Sequence, residues 1–182
     1  MQRKISIGIA LPNDLKKRLA QKMERWEKFP VRWSKKENLH LSFFSLGYVD
    51  DELIFDICEK TKNAVKDMEV FDIDLTKIEL GPSQDREAKM IWFAGNNSGK
   101  LKKVVENIEK SLGIFNANKK KFEPHIILGR IRKYQWKSLK KIPEISEDFS
   151  VLLPVESVEI FESSIVDGKR KFTAIDSGKL RI

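Results

Sequence analysis

The sequence predicts an α+β fold built from two similar lobes, each contributing one strand that carries a histidine. Three observations lead to this prediction. Several short segments alternate apolar and polar residues, as half-buried strands do. Other segments repeat apolar residues at helical spacing. The order strand, turn, helix and histidine segment also occurs twice along the 182 residues, which indicates an internal duplication.

In the first half, Ile5, Ile7 and Ile9 predict a strand that stops at "LPND", a typical helix start. The helix that follows repeats apolar residues at helical spacing, at Leu15, Leu19, Met23 and Trp26. A second helix is predicted from Asp50 or Asp51 toward Met68. Its apolar face comprises Leu53, Ile57, Thr61, Ala64 and Met68.

In the second half, "FDIDLT" and "MIWFA" predict strands on either side of the turn-rich loop "GPSQDREA". "GNNSGKLKKVVENIEKSLG" predicts a capped helix that ends at Gly113. "KYQWKSLKKIPEISED" is the best candidate for a linker. The segments "VESVEIFESS" and "KFTAID", joined by the polar turn "VDGKR", predict a closing hairpin.

Two pairs of landmarks support the duplication. Leu15 and Leu101 each begin a Leu-Lys-Lys helix start and are separated by 86 positions, while His40 and His125 are separated by 85. Because the two offsets are almost equal, the two histidine strands are predicted to occupy equivalent places in the two lobes.

Composition limits the classes of protein. The apolar fraction of 41% and the length fit one bilobal domain over residues 1–182, and no apolar run approaches the roughly 20 residues that cross a bilayer. A single cysteine, Cys58, and an opening apolar run too short for a signal peptide favour a cytoplasmic location. We expect a monomer with no membrane association. The net charge of +8 favours anionic partners such as phosphate or nucleic acid, although a solvated charged surface explains it equally well.

Motifs for other chemistry are absent or incomplete. "GNNSGKL" resembles a phosphate-binding loop, but Gly95 and Gly99 enclose three residues instead of four and Leu101 follows the lysine. One cysteine and two distant histidines do not give the paired spacing of a zinc site. We therefore expect no metal and no cofactor.

The two histidines are the candidate catalytic residues. Histidine is neutral and protonated in comparable amounts near pH 7, so two facing imidazoles can serve as base and acid in one in-line displacement at a phosphodiester. Strand alternation places Ser42 on the same side as His40, and Ile127 on the same side as His125. Ser42 is then positioned to donate a hydrogen bond to a phosphate oxygen.

The segments "ENLHLSFFSLG" and "FEPHIILGR" resemble the two His-x-Thr signatures of the two-histidine phosphoesterases, and within them the RNA 2′,3′-cyclic phosphodiesterase (2′-5′ RNA ligase) family. Further segments along nearly the whole chain are similar to that family in order and spacing, namely "ISIGIALP", "GPSQDREAKMIWFAG" and "VESVEIFESSIVDGKRKF". The resemblance implies a bilobal fold with antiparallel sheets and outer helices around a central cleft. It also implies metal-independent opening of a 2′,3′-cyclic phosphate, on an RNA end or a cyclic nucleotide, to a 2′-phosphomonoester.

Transferred to this sequence, the resemblance makes His40 the proton donor to the leaving oxygen and His125 the proton acceptor that activates water. Ser42 replaces the family's threonine and keeps its hydroxyl. Arg130 matches an arginine that neutralises phosphate charge in the family. Strict alternation points it away from His125, so this role requires a bulge or a strand end at Gly129. Phe44 is placed either to stack on a base or to pack in the core.

Ile127 departs from the family pattern, which has a threonine two residues after the second histidine. Isoleucine offers no hydrogen bond, so half of the phosphate clamp is missing. Two functions therefore remain open: a cyclic phosphodiesterase, and a module that binds RNA or nucleotides with weak or no turnover. Basic residues near the second histidine, at Lys119, Lys120, Lys121, Arg130, Arg132 and Lys133, are candidates to supply compensating charge.

Overall fold

A computed structural model of the protein describes residues 1–114 and 122–182. Lys119, Lys120 and Lys121 lie outside the described residues. In chain order the structure has β1 (Gln2–Ala10), α1 (Asn13–Met23), β2 (Val31–Trp33), β3 (His40–Asp50), α2 (Asp51–Val65), β4 (Phe71–Gly81), β5 (Met90–Gly95), α3 (Gly99–Leu112), β6 (His125–Ile131), α4 (Lys133–Lys137), β7 (Ser146–Val155), β8 (Ser157–Val166) and β9 (Lys169–Lys179). Short 3-10 turns follow α1 and precede β3.

The described strands form one antiparallel sheet in the order β7-β4-β5-β6-β3-β1-β8-β9, with β2 paired to the end of β6. This order is symmetrical about the β6/β3 junction. In the sheet, β3 lies beside β1 and β6 lies beside β5. In the sequence, β1 precedes helix α1 and β5 precedes helix α3. The α+β class and the two-lobed antiparallel arrangement are therefore confirmed.

The register shows the duplication at single-residue level. His40 pairs with Ala10 on β1, and His125 pairs with Ala94 on β5. The helices α1 and α3 each connect the two strands of such a pair. The offset between the two alanines is 84 positions, close to the offset between the two histidines.

The helices bury their apolar faces in the same hydrophobic cluster as the strands. Helix α3 begins after Ser98, whose side chain accepts a hydrogen bond from the Leu101 amide, and ends at Gly113 in the left-handed conformation (φ 67°). A left-handed residue favours glycine because no Cβ clashes with the backbone, so the predicted cap at Gly113 is confirmed. Leu101, Val104, Val105 and Ile108 point into the core.

Two sequence predictions about individual elements need correction. The predicted apolar face of α2 is right in part. Thr61 is buried, and Ile57, Ala64 and Met68 pack partly buried against the core. Leu53 is half exposed, and the other buried residues of the helix are Ile54, Cys58 and Val65. The predicted linker contains α4 and the beginning of β7, a strand at the sheet edge. Trp136 in that segment is fully buried, so its packing outweighs the polar composition around it.

Candidate active site

The two histidine strands meet at one pair of residues, Leu41 on β3 and Ile126 on β6. Both side chains are fully buried in the core. Because side chains alternate along a strand, the residues on either side of this pair point to the opposite face of the sheet. That face is a cleft of about 740 Å³, and its lining includes His40, Ser42, His125 and Ile127.

Both imidazoles are held by the same local hydrogen bond. Nδ1 of His40 lies 2.7 Å from the carbonyl oxygen of Asn38, and Nδ1 of His125 lies 2.8 Å from the carbonyl oxygen of Glu123. A carbonyl oxygen only accepts, so each Nδ1 carries the hydrogen. The Nε2 atom of each ring is then the position that binds or releases a proton.

Aromatic packing fixes the two rings further. The His40 ring lies 4.6 Å from Phe172 and 4.9 Å from Phe161, measured between ring centroids. The His125 ring lies 4.6 Å from the ring of Trp92 on β5. The two histidines thus share a backbone anchor but differ in their neighbours.

Burial lowers the pKa of His40 below its ordinary value, because the charged imidazolium loses hydration. The hydrogen bond to Asn38 acts in the opposite direction, and the positive charge of Lys16 lowers the pKa further. In the free protein, His40 therefore favours its neutral form.

Asn38 connects the His40 anchor to the closing hairpin. Its Nδ2 donates to the carbonyl oxygen of Arg170 at 2.9 Å, and its Oδ1 accepts from the amide of Phe172 at 3.2 Å. The residue whose carbonyl orients His40 is thus fixed to the strand whose Phe172 packs on the same imidazole. Sequence reasoning did not identify Asn38, although its position two residues before the histidine was visible.

A bulge brings Arg130 to the cleft. On β5, Trp92 pairs with Ile127 and the adjacent Ile91 pairs with Gly129, so Leu128 is the extra residue on β6. The bulge shifts the alternation by one residue, and Arg130 lines the cleft with His125. The required bulge exists, one position earlier than Gly129.

An equivalent bulge in the first lobe corrects the expectation for Phe44. Ile7 pairs with Phe44 and Gly8 pairs with Ser42, which leaves Phe43 as the extra residue on β3. Phe44 consequently packs against the hydrophobic core, and Ser45 lines the cleft in its place. Of the two placements predicted for Phe44, packing is the one that the structure supports.

The cleft is strongly basic. Among the described residues, its lining contains no carboxylate side chain, and none of its cations forms an ion pair with one. Sequence reasoning identified only Arg130 of this set, since the others come from strands and turns distant in sequence. The cationic residues of the lining are Lys4, Arg32, Lys35, Arg130, Lys169 and Arg170.

Arg132 and Lys133 are not part of that lining. Across residues 1–114 and 122–182, no group of three or more His, Cys, Asp or Glu side chains is placed to hold a metal ion. No helix in these ranges is long and apolar enough to cross a membrane.

A model of the LigT-like phosphoesterase family matches residues 9–92, a segment that contains His40 and Ser42 and ends before His125. Two curated relatives are both named RNA 2′,3′-cyclic phosphodiesterase. The protein from Thermotoga maritima is 28% identical over 168 residues, covering 87% of this chain and 86% of the relative. The protein from Methanocaldococcus jannaschii is 24% identical over 129 residues, covering 71% and 72%.

Solved structures share the fold. A protein of Thermus thermophilus superimposes with a TM-score of 0.79 at 18% identity, with 98% of both chains covered. Escherichia coli LigT in complex with 3′-AMP superimposes with a TM-score of 0.74 at 20% identity, with 99% of both chains covered. The chain therefore shares its antiparallel two-lobed fold with these two solved structures.

Proposed function

We propose that this chain is a LigT-like phosphoesterase that hydrolyses 2′,3′-cyclic phosphates on RNA ends or nucleotides to 2′-phosphomonoesters. One observation carries the proposal: two imidazoles line the same cleft, and each has its Nδ1 tied to a backbone carbonyl. Both Nε2 atoms are thereby left for proton transfer. The names of the curated relatives support the same reaction.

In the proposed reaction, His125 Nε2 takes a proton from a water molecule as the water oxygen attacks phosphorus. The bond from phosphorus to the 3′-oxygen breaks, and His40 Nε2 donates a proton to that oxygen. The product carries a 2′-phosphomonoester and a free 3′-hydroxyl. His40 ends neutral and His125 ends protonated, so exchange of protons with solvent restores the starting state.

Ser42 and Arg130 are proposed to bind the reacting phosphate. Both line the cleft, Ser42 two residues after His40 and Arg130 beyond the Leu128 bulge. A guanidinium neutralises the charge of non-bridging oxygens and a hydroxyl donates to one of them. Negative charge spreads over these oxygens in the transition state, so such donors lower the barrier to reaction. Paired imidazoles perform this chemistry without a metal ion.

Ile127 favours a second candidate function. Its side chain lines the cleft beside the histidines but offers no hydrogen-bond donor. A site that has one hydroxyl donor to the phosphate instead of two can bind an RNA end or a nucleotide and hydrolyse it weakly or not at all. The second candidate is therefore an RNA-binding or nucleotide-binding module.

Incubation with a short RNA that ends in a 2′,3′-cyclic phosphate, in excess EDTA, distinguishes the two functions. Phosphorus NMR then locates the phosphate on the product. We expect a 2′-phosphomonoester formed at an undiminished rate. Tight binding without product would establish the binding module instead. A 3′-phosphate would contradict the proposed leaving group, and activity lost on chelation and restored by one divalent ion would contradict metal independence.

A further inference from the structure

A buried hydroxyl on the first strand lacks a partner. On β1, Ile5 and Ile7 are fully buried in the core, whereas Ser6 between them lines the cleft. Ser6 is only 8% exposed, and its Oγ forms no hydrogen bond with any described residue. Buried polar groups in folded proteins nearly always have a partner, and a missing ligand is one explanation of an exception.

Four further side chains that line the cleft adjoin Ser6 through the sheet. Ser45 on β3 lies opposite Ser6, and Lys4 lies two residues before Ser6 on the same face of β1. Ser163 on β8 lies opposite Lys4, and its Oγ accepts a hydrogen bond from the Arg170 guanidinium. Three hydroxyls and two cations from four strands therefore form one continuous patch, here called the serine floor.

The serine floor is suited to an anion. Neither Lys4 nor Arg170 forms an ion pair within the described residues, although Lys4 is half-buried. Hydroxyl, ammonium and guanidinium groups all donate hydrogen bonds, which phosphate oxygens accept. A purely solvated lysine surface would not explain a hydroxyl that is more than nine-tenths buried.

The outer end of the serine floor is too far from Ser42 to belong to the same clamp. Gly8 of β1 pairs with Ser42 and Lys4 pairs with Ser163, and the four residues from Gly8 to Lys4 span about 13 Å of extended strand. One phosphate group cannot contact both Ser42 and Ser163 across such a span.

We propose that Lys4, Ser6, Ser45, Ser163 and Arg170 form a second phosphate-binding subsite, which holds a phosphate of the substrate other than the cyclic one. This inference rests on the proposed function, because it assumes that the cyclic phosphate occupies the cleft between His40 and His125. The second phosphate is either a backbone phosphate of an RNA chain or the 5′-phosphate of a nucleotide.

Product-type ligands test the subsite without turnover. Calorimetry measures the dissociation constants of adenosine 2′-phosphate, adenosine 2′,5′-bisphosphate and the dinucleotide adenylyl-(3′→5′)-adenosine 2′-phosphate. We expect at least one of the two-phosphate ligands to bind about tenfold or more tightly than the monophosphate. If only the dinucleotide binds more tightly than the monophosphate, the subsite holds a backbone phosphate. If the bisphosphate also binds more tightly, it holds a 5′-phosphate.

Substitutions then test whether this gain in affinity comes from the serine floor. Ser6→Ala and Lys4→Met should each remove most of it, whereas Lys103→Met, an exposed lysine of α3 outside the cleft, should retain it. Ser6→Ala should not lower the melting temperature, because the lost hydroxyl has no partner in the free protein. This stability readout separates a ligand contact from a structural serine.

Equal binding of all three ligands would overturn the subsite, as would a gain that survives both variants. Because none of the ligands is hydrolysed by the proposed reaction, these results do not depend on activity. A chain that discriminates the second phosphate but fails to open a cyclic phosphate would retain the subsite and lose the proposed function.

Discussion

His40 and His125 are anchored identically but surrounded differently. Each Nδ1 donates to the carbonyl oxygen two residues earlier, while Phe161 and Phe172 enclose the first ring and Trp92 packs on the second. The shared anchor follows from the duplication. The enclosed surroundings of the first ring lower the pKa of His40, because burial removes hydration from the imidazolium.

The lowered pKa of His40 predicts a difference between two pH profiles. If His40 is the proton donor, kcat/KM falls as the pH rises through its pKa in the free enzyme, which burial holds below the ordinary value. A bound phosphodiester anion favours the imidazolium. We therefore expect the descending limb of kcat to lie at higher pH than that of kcat/KM. Steady-state rates across pH measure both, and coincident limbs, or a kcat limb at lower pH, would exclude His40 as the acid.

Ile127→Thr should raise kcat on a 2′,3′-cyclic phosphate. Both side chains are β-branched, so the strand is preserved. A new neutral hydrogen bond to the phosphate contributes on the order of 0.5–1.5 kcal/mol, or a rate gain of roughly 2- to 12-fold. Single-turnover kinetics measures the gain, and the same substitution in a His125→Ala background should show none.

Ile127→Val is the matched control, because it changes the volume without adding a donor. An unchanged or lower kcat in a folded Ile127→Thr protein would mean that the reacting phosphate lies elsewhere or that Arg130 already satisfies its oxygens.

At the scale of elements, bulges on β3 and β6 set which side chains reach the cleft. Each places one extra residue, Phe43 or Leu128, directly after the third residue of the histidine motif. The bulge in β3 requires close backbone approach from β1, where a Cβ on Gly8 would lie 2.0 Å from the carbonyl oxygen of Leu41.

Gly8→Ala should therefore destabilise the protein by about 1–3 kcal/mol and impair the adjacent His40. Gly99→Ala is the control, since a Cβ at Gly99 meets no atom within 4 Å. It should be neutral or stabilising by up to about 1 kcal/mol, because alanine favours a helix over glycine. Urea denaturation measures both. Equal stabilities of the two variants would show that the backbone approach at Gly8 is not required.

The sequence predicts elements with strong periodicity better than it predicts their faces and registers. The histidine strands and the cap at Gly113 were recognisable because their signals are local. The face of α2 was predicted only in part. Thr61 is buried and Ile57 and Ala64 pack against the core, but Leu53 is half exposed. The strand β7 was hidden in a polar segment that is ordered by the packing of neighbouring elements.

The candidate site was predicted only in part for a related reason. His40, Ser42, His125 and Ile127 follow from two local motifs. The serine floor depends on which strands pair and in which register, so Ser6 and Ser163 carry no separate signal. The β1 pattern did contain a hint, because Lys4 and Ser6 alternate with buried isoleucines.

Over the whole molecule, the cleft is a place where positive charge collects without acidic neighbours. Six unpaired cations line the cleft within the described residues, and no carboxylate joins them. Such a cleft attracts polyanions and raises their association rate.

Binding of single-stranded RNA should accordingly depend on salt. The logarithm of the affinity falls by about 0.7 per phosphate contact for each logarithmic unit of salt. For roughly two to four contacts, the affinity should fall by about 7- to 50-fold between 50 and 200 mM salt. Fluorescence anisotropy measures the slope. Lys169→Met should reduce it and Lys103→Met should not, whereas a slope near zero would place the RNA outside the cleft.

A double-mutant comparison on an RNA 2′,3′-cyclic phosphate tests whether His40 and His125 act in one step. Single-turnover rates of His40→Ala and His125→Ala should each fall by about 10²- to 10⁴-fold, with circular dichroism confirming the fold. The double variant should be little slower than either single variant, because the two groups form one catalytic unit. A folded single variant with a near wild-type rate, or losses that multiply in the double variant, would contradict the shared site.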